Sequence, residues 1–571
     1  MTENPMVLKP ALLEDLNALK AAAPVWTQKL MVEIVPYLEA CKERVMDVAE
    51  RWVNDSAEAK GLAEDAPQRG EEWTAGPWAI LKHLNAYIHT LNALSQGESP
   101  FKHQPVRTTV SGQVAVQAFP GDNWDKLLLN GYSAEVWQQE GVTEENLHDH
   151  IGERFHREVD PKVSLILGAG NINSIPALDA LYKLIAEGEV CLIKLNPINH
   201  YLKEHMDYIF APLVEEGFLR TVNGGGSVGA ALCQHADIDT IHITGSAYTH
   251  DRIVFGDGED GEERRSNNDP LNTRPISSEL GGVGPTMVVP GPWTSTDIVF
   301  QAEHLITQKL HNAGCNCIAS QILVLPDEWE GTDQLLSAIR DTLPRVLGRP
   351  AYYNGSEQKI AQFKEAYPNA EVVCEDPTFL FIDGLDAEAQ EFCFREEIFG
   401  QVWGVVRIPG PDPETFLKNA VTFSNEKLYG TLGCQMVIHP WTQSKHKDAF
   451  EQAIADLRYG TIGVNAWSGV GFLIPNAMWG AFPGHPLNDV QSGIGVVHNG
   501  YLFDKPEKTV VYAPFQPFPR TLAIGQLHMS PKPMWFVTHS KGAIAGKYLT
   551  EFEATRNVTL IPPLFWAALT G

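Results

Sequence analysis

Residues 163–182, VSLILGAGNINSIPALDALY, set the architecture. Val163–Leu167 is a short apolar β-type run, Gly168-Ala169-Gly170-Asn171 is a turn, and from about Ile175 the apolar residues recur at helical spacing. A strand, a glycine-bearing turn and a helix in that order make one unit of a parallel sheet with crossover helices. The pattern repeats outward from there: Val190–Lys194, Leu219–Val222 and Thr240–Thr244 are further β-type runs, each separated from the next by a helical segment. The expected class is α/β.

Upstream, Leu12, Leu13, Leu16 and Leu19, then Leu30, Val32, Val35 and Leu38, predict amphipathic helices between Pro10 and about Ala63 that cover a larger body. Residues 109–119, TVSGQVAVQAF, alternate like a strand. Downstream, Phe255–Arg274 (FGDGEDGEERRSNNDPLNTR) is polar, charged and almost free of apolar residues, and is predicted to be an exposed loop. A second α/β-like stretch runs from about Gly281 to Val497, with β-type runs at Ile322–Leu325, Val402–Ile408 and Cys434–Ile438. From about Tyr501 the segments VVYAPF, MWFVTH and LIPPLFWAAL, with frequent Pro, predict extended arms packed on another surface.

A chain of 571 residues exceeds what one hydrophobic core supports, so two or three domains are expected. With 44% hydrophobic and 20% charged residues, folded structure throughout is the expectation. The net charge of -28 disfavours nucleic acid and anionic membrane surfaces, because affinity for polyanions comes from Lys and Arg. Eight Cys spread from Cys41 to Cys434 do not form a disulfide framework and suit a reducing compartment. The opening MTENPMVLKPALLEDL lacks the basic end and apolar run of a signal peptide. No stretch reaches the roughly 20 apolar residues of a membrane span. A cytoplasmic location is expected.

Backbone N–H groups at the turn Gly168-Ala169-Gly170 would meet an anion at a helix N-terminus, but Asn173 stands where the third glycine of a dinucleotide fingerprint belongs. A tight turn without ligand fits the pattern as well. Lys194 ends the second strand, where an acidic ribose-binding residue is usual; it suits a ribose or phosphate, or simply flanks a buried strand. Gly224-Gly225-Gly226-Ser227-Val228-Gly229 and Thr244-Gly245-Ser246 add two places for close backbone approach, and together the three favour a nucleotide crevice.

Two cysteines lie among small residues in Gly314-Cys315-Asn316-Cys317-Ile318-Ala319. A nucleophilic thiolate needs such room, but buried small hydrophobes and a redox or metal pair also fit; no second Cys/His pair supports zinc. In Ser278-Glu279-Leu280-Gly281-Gly282 the carboxylate is set among apolar residues and glycines, which suits a general base or a turn cap.

Together these pieces resemble the aldehyde dehydrogenase superfamily over roughly residues 100–512. SELGG is similar to the family's glutamate motif and implies Glu279 as general base. Gly314–Ala319 resembles Gly-Gln-x-Cys-x-Ala, which implies Cys317 as nucleophile and puts Cys315 at the glutamine position. Glu396-Glu397-Ile398-Phe399-Gly400 matches a second signature and implies Glu397 on the nicotinamide ribose and Phe399 beside the nicotinamide. Ala169-Gly170-Asn171-Ile172-Asn173 replaces Pro-Trp-Asn-Phe-Pro but keeps Asn171, the implied oxyanion donor.

The resemblance implies NAD(P)-dependent oxidation of a small-molecule aldehyde to an acid through a cysteine thiohemiacetal and a thioester hydrolysed with Glu279. Gly168, Ala169, Gly170, Lys194, Gly225, Gly229, Thr244, Gly245, Ser246 and Leu280 are the further implied cofactor contacts, with no metal. Pro197 replaces the glutamate that NAD-preferring members carry, so NADP stands beside NAD. Trp467, Phe472, Trp479 and Phe482 fall where the family lines its substrate tunnel, though core aromatics would look the same. Asp179 falls near another tunnel position and is read as a surface or helix residue.

The implied layout is Rossmann-type: residues 1–280 carry N-terminal helices and the nucleotide-binding domain, with an oligomerisation arm at about 105–160. Residues 281–497 form the catalytic domain, and 498–571 an arm and C-terminal extension in a homodimer or homotetramer. A CoA-acylating enzyme or acyl-CoA reductase is the first alternative, which Glu279 disfavours; a non-catalytic scaffold is the second.

Overall fold

A computed structural model of the chain describes residues 8–346 and 349–571. The opening seven residues, on which the signal-peptide reading partly rests, lie outside that range. Five strands of the first half form a parallel sheet in the order Ile276–Leu280, Thr240–Gly245, Val163–Leu167, Val190–Leu195 and Leu219–Asn223, and Gly493–Ile494 adds an antiparallel edge. Every residue of Val190–Leu195 is buried, as expected of a strand covered by helices on both faces. The strand order reverses at Val163–Leu167, between Val190–Leu195 and Thr240–Gly245, and ligands of such sheets bind at the carboxyl ends beside that switch point. Gly168–Gly170, Gly245, Ser246 and Glu279 all lie at or next to those ends.

The second sheet has eleven strands. Its centre is parallel, from Thr461–Val464 through Gly433–Val437, Gly284–Val288, Ser320–Pro326 and Val402–Ile408 to Thr378–Leu385. Pro506–Tyr512 pairs in parallel with Thr461–Val464 and antiparallel with Ser133–Gln138, so the arm strands continue this chain's own sheet.

The N-terminal helices are Pro10–Thr27 and Met31–Ala59, where Leu16, Leu19, Val35 and Leu38 are buried but Leu13, Leu30 and Val32 face outward. Three local expectations are corrected. Residues 109–119 are not one strand: Val106–Thr108 and Val114–Phe119 form a hairpin, turned at Gly112. The polar segment 255–274 is exposed but not all loop, since Gly258–Ser266 is a helix. Asp257 caps it, acidic Glu259 and Asp260 sit in its first turn and Arg264 and Arg265 in its last, an arrangement that complements the helix dipole without any apolar face. The C-terminal tail is not extended after Tyr512, because Gly542–Thr555 and Ile561–Leu569 are helices. Pro562 and Pro563 stand in the first turn, where a missing N–H costs nothing. Gly542–Thr555 packs on Arg69–Trp73 and Ile561–Leu569 packs on Gly542–Thr555, leaving Trp566 and Leu569 exposed. Among the described residues no helix is long and apolar enough to cross a membrane.

Candidate active site

Glu279 lies in the strand Ile276–Leu280, opposite Thr244 of the neighbouring strand. Its carboxylate is buried; Oε1 accepts from the Cys317 thiol at 3.3 Å, while Oε2 has no protein partner among the described residues. Burial first, then the charge of Asp179, pushes the carboxyl up to about 7. The glycine after Leu280 is sterically required: a Cβ on Gly281 would collide with the Glu397 carboxylate.

The thiol reaches Glu279 through an unusual turn. The helix Ser295–Leu310 ends, and Asn312, Ala313 and Gly314 follow with φ of 54°, 57° and 76°. Left-handed residues other than glycine cost on the order of 1–3 kcal/mol each and persist only where surroundings over-determine them. Here the surroundings are polar: the Asn312 side chain donates to Asn171 O and Cys315 O at 3.1 Å each, its backbone N–H donates to Glu71 Oε2 at 3.1 Å, and Asn316 donates to His311 O at 2.8 Å. The two cysteines emerge in opposite environments. Cys315 is fully buried, its thiol making a long 3.9 Å contact to Ala313 O, whereas Cys317 is part-exposed and touches the carboxylate. Burial and the nearby Glu279 and Glu397 hold the Cys317 thiol well above its ordinary range, so at rest it is the proton donor of the pair.

Asn171 is fixed from both ends. Its Nδ2 donates to Cys315 O at 3.1 Å, which leaves one amide N–H for a ligand, and its carbonyl accepts from Lys60 Nζ, Tyr352 Oη and Asn312 Nδ2 at 3.0, 3.0 and 3.1 Å. Lys60 is paired with Glu72 at 2.9 Å, both almost fully buried, and Glu71 with Arg349 at 2.9 Å. Asn173 donates to Ser56 Oγ and Glu72 Oε2 at 2.8 and 2.7 Å. An N-terminal segment therefore clamps the thiol turn and the Asn171 turn together.

On the crevice side, Gly168 and Gly170 are filled by their own neighbours: a Cβ would fall 2.7 Å from Pro176 and 2.8 Å from Asn196. Gly225 meets nothing within 4 Å, and Gly229 only ordinary contacts. Lys194 is buried, held below its ordinary range by desolvation, and makes no salt bridge among the described residues. The Ser246 hydroxyl accepts from Thr249 N–H at 3.2 Å, and Thr244 turns its hydroxyl inward to Asp179. Leu280 N–H donates to Ser492 O at 2.7 Å. Glu397 has a buried, unpartnered Oε1, and burial pushes it up to about 8; Phe399 sits edge-on to Tyr353 with centroids 5.1 Å apart.

A family model described as the aldehyde dehydrogenase family matches residues 179–348, which include Glu279 and Cys317. Aldehyde dehydrogenase family 2 member B4, mitochondrial, of Arabidopsis thaliana is 25% identical over 321 residues, covering 52% of this chain and 53% of that protein. Aldehyde dehydrogenase 1 of Tanacetum cinerariifolium is 34% identical over 107 residues, 19% of this chain and 18% of that one. The matches thus span about half or less of these relatives' own lengths. In fold, the chain is similar to a mutant of aldehyde dehydrogenase C from Pseudomonas syringae solved with NAD+ and octanal, with a TM-score of 0.58, 17% identity and 89% of each chain covered. An NADP-dependent glyceraldehyde-3-phosphate dehydrogenase from Bacillus halodurans, complexed with NADP, gives 0.57 at 17% identity over 88% of this chain and 90% of that one. The chain is thus similar to aldehyde dehydrogenases, in sequence over residues 179–348 and in fold over most of its length.

Of the aromatic residues placed at the superfamily's tunnel, Phe472 and Trp479 pack edge-to-face at 5.4 Å, and Trp479 stacks on His498. Trp467 lies against His311 with centroids 4.6 Å apart. Phe482 instead lies over Lys508. Asp179 is not a surface residue: it is 1% exposed, inside the helix Ile175–Tyr182, and faces Thr244 and His242 on the sheet. Sequence reading also missed Lys60, Glu71, Glu72 and Tyr352. The signal for Asp179 was present, as a lone charge in the apolar run SIPALDAL; the others carry none, because their partners lie far away in the chain.

Proposed function

We propose that this chain oxidises an aldehyde to a carboxylic acid with a nicotinamide dinucleotide, using Cys317 as nucleophile, Asn171 as oxyanion donor and Glu279 as base. The observation that supports it most is the 3.3 Å contact between the Cys317 thiol and the buried Glu279 carboxylate, with the Asn171 amide fixed next to the same turn. Glu279 takes the thiol proton as Cys317 attacks the aldehyde carbon, and the free Asn171 N–H and the Cys317 backbone N–H receive the oxyanion. When bound, the dinucleotide supplies the two-electron acceptor that converts the thiohemiacetal to a thioester. Once Glu279 has lost the thiol proton to solvent, water attacks the thioester carbon, Glu279 accepts its proton, and the C–S bond breaks to release the acid and a thiolate that takes the proton back from Glu279.

The crevice fits such a cofactor. Space is open above Gly225, the buried Lys194 cation has no anionic partner among the described residues, and Glu397 Oε1 is an unfilled acceptor. Lys194, Gly225, Gly229, Gly245 and Ser246 would hold phosphates and ribose, and Glu397 and Phe399 the nicotinamide end. Pro197 removes the carboxylate that would repel a 2′-phosphate, so NADP fits as well as NAD.

The test is an aldehyde panel assayed with NAD and with NADP, each with and without coenzyme A. Reduced cofactor and free acid formed without coenzyme A are expected. Turnover that requires coenzyme A would overturn the hydrolytic reading, and full activity in Cys317→Ala would overturn the nucleophile.

A further inference from the structure

The C-terminal extension ends in a helix whose outer side is bare of other described residues. Ile561–Leu569 reads IPPLFWAAL, without a charged residue. A helix that is apolar all round belongs in an interior, because a face turned to water calls for polar side chains. This one buries Leu564 and Ala567 with Ala545 of Gly542–Thr555 and turns the opposite stripe outward. There Trp566 is 68% exposed and Leu569, three residues on and so on the same face, is 57% exposed. Val558, just before the helix, is 55% exposed.

The stripe does not stand alone. Leu128 packs against the same buried cluster, which sets its exposed neighbour Leu127 beside the helix. Asn130, shortly after it, accepts from the Met529 N–H at 2.9 Å. In that loop Met529 is 68% and Leu527 84% exposed. Segments far apart in the chain thus bring Leu127, Leu527, Met529, Val558, Trp566 and Leu569 to one side of the molecule. Of the twenty large apolar residues that are exposed among the described residues, eight fall in 513–571, about a tenth of the chain, so this is a concentration and not the usual scatter. Side chains of this size and exposure offer on the order of 700 Å² of apolar surface. That exceeds the roughly 300–600 Å² of the largest patch on ordinary monomers and approaches the about 800 Å² that each partner buries in a stable interface.

The composition selects the occupant. Interface cores are depleted in charge and enriched in aromatic residues and Met, and those of obligate homodimers are the most apolar. A helix that rests on lipid instead carries Lys or Arg along a polar face, and Ile561–Leu569 has neither. Residues 513–571 hold five Lys or Arg and two Asp or Glu, whereas the whole chain stands at -28. Pairing through this side therefore brings together stretches of positive balance in place of the acidic remainder. An apolar ridge is also complementary to itself across a two-fold axis.

We propose that this side of the C-terminal extension is the contact surface for a second copy of the chain, with Trp566 and Leu569 at its centre and Leu127, Leu527 and Met529 around them. The contact is held by apolar burial between two acidic molecules, so salt, which screens their mutual repulsion, strengthens it.

The test is the assembly state of the full-length protein, measured by sedimentation velocity over a range of concentrations and at low and high salt. Self-association that tightens with salt is expected. Trp566→Glu is expected to shift the protein to a smaller assembly and to raise the dissociation constant of that step at least about 30-fold, the scale of a hot-spot aromatic residue. Met529→Glu, in a different segment, is expected to act in the same direction, which keeps the test valid if the helix variant fails to fold. Val32→Glu, at an isolated exposed position on an N-terminal helix, is expected to change nothing. A monomer at every concentration, an association that salt dissolves, or one equally strong in folded Trp566→Glu and Met529→Glu would overturn the proposal. A monomer that instead co-sediments with phosphatidylcholine vesicles would overturn it in favour of a lipid surface.

Discussion

The thiol turn, residues 311–317, and the glycine turn, residues 168–170, meet at Asn171 but are held in different ways. The first takes left-handed conformations at Asn312 and Ala313, stabilised by side chains from residues 60, 71 and 171. The second is packed so closely that neither glycine has room for a Cβ, against Pro176 at Gly168 and Asn196 at Gly170, and it is tied down by Asn199 Nδ2 donating to Ala169 O at 3.2 Å and Gly168 N–H donating to Lys194 O at 3.1 Å. The contrast separates two kinds of sensitivity. A site built from buried polar partners loses function and stability together when a partner is removed, whereas a turn with no room at its glycines responds most strongly to added volume.

The largest expected effect is at the thiol. Cys317→Ala should abolish formation of reduced cofactor from any aldehyde, read by absorbance in single-turnover mixing. Next, Glu279→Gln should retain a burst of reduced cofactor but release acid about 10²–10⁴ more slowly. In the unsubstituted protein the hydrolytic rate should rise with pH through about 7, because Glu279 must be ionised to accept a proton. In Asp179→Asn this limb should move to lower pH, since the charge that raises Glu279 is gone; a profile unchanged in position would remove Asp179 from the neighbourhood of the base.

Lys60→Met leaves Glu72 buried without its cation, which costs about 3–5 kcal/mol for a pair of this kind. Both Tm and kcat should drop, with the aldehyde KM less affected. On the other turn, Gly170→Ala should destabilise by about 1–3 kcal/mol through overpacking against Asn196. Gly225→Ala, into open space, should change stability by no more than about 0.5 kcal/mol. A raised KM for the dinucleotide in Gly225→Ala with unchanged Tm would mark close ligand approach there. Cys315→Ala should change turnover least of all; a loss equal to that of Cys317→Ala would break the distinction between the two thiols.

The parallel sheet was legible because its strands are continuous apolar runs separated by helical ones, and the observed strand Val163–Leu167 coincides with the run read from residues. The helix Gly258–Ser266 was not, since it has no apolar face and is supported by caps and charge placement instead. The helix Ile561–Leu569 was obscured by Pro562 and Pro563, which break a helix anywhere except its first turn. At the site, the residue pattern alone left a turn cap open for Glu279 and a buried small hydrophobe for Cys317; it was the resemblance of SELGG and Gly314–Ala319 to family motifs that singled them out. Lys60 and Glu72 look like ordinary solvated charges until folding carries Lys60 across 111 residues to the Asn171 carbonyl. Asp179, read as a surface or helix residue, is in a helix but buried; the apolar run around it signalled burial, while its partner Thr244, 65 residues away, left no local sign.

The clamp on Asn173 also constrains how such a sequence can drift. Asn173 occupies a position where the superfamily commonly carries proline, and its amide is bound by Ser56 and Glu72. Restoring proline alone would strand the second oxygen of Glu72 and remove the acceptor that Tyr201 uses. Removing Glu72 alone would strand Lys60 and one amide proton of Asn173. Asn173 and its N-terminal partners are thus a matched lock, in which changing either half leaves a buried polar group of the other unpaired, so substitutions in this turn and in a segment about a hundred residues away are energetically coupled.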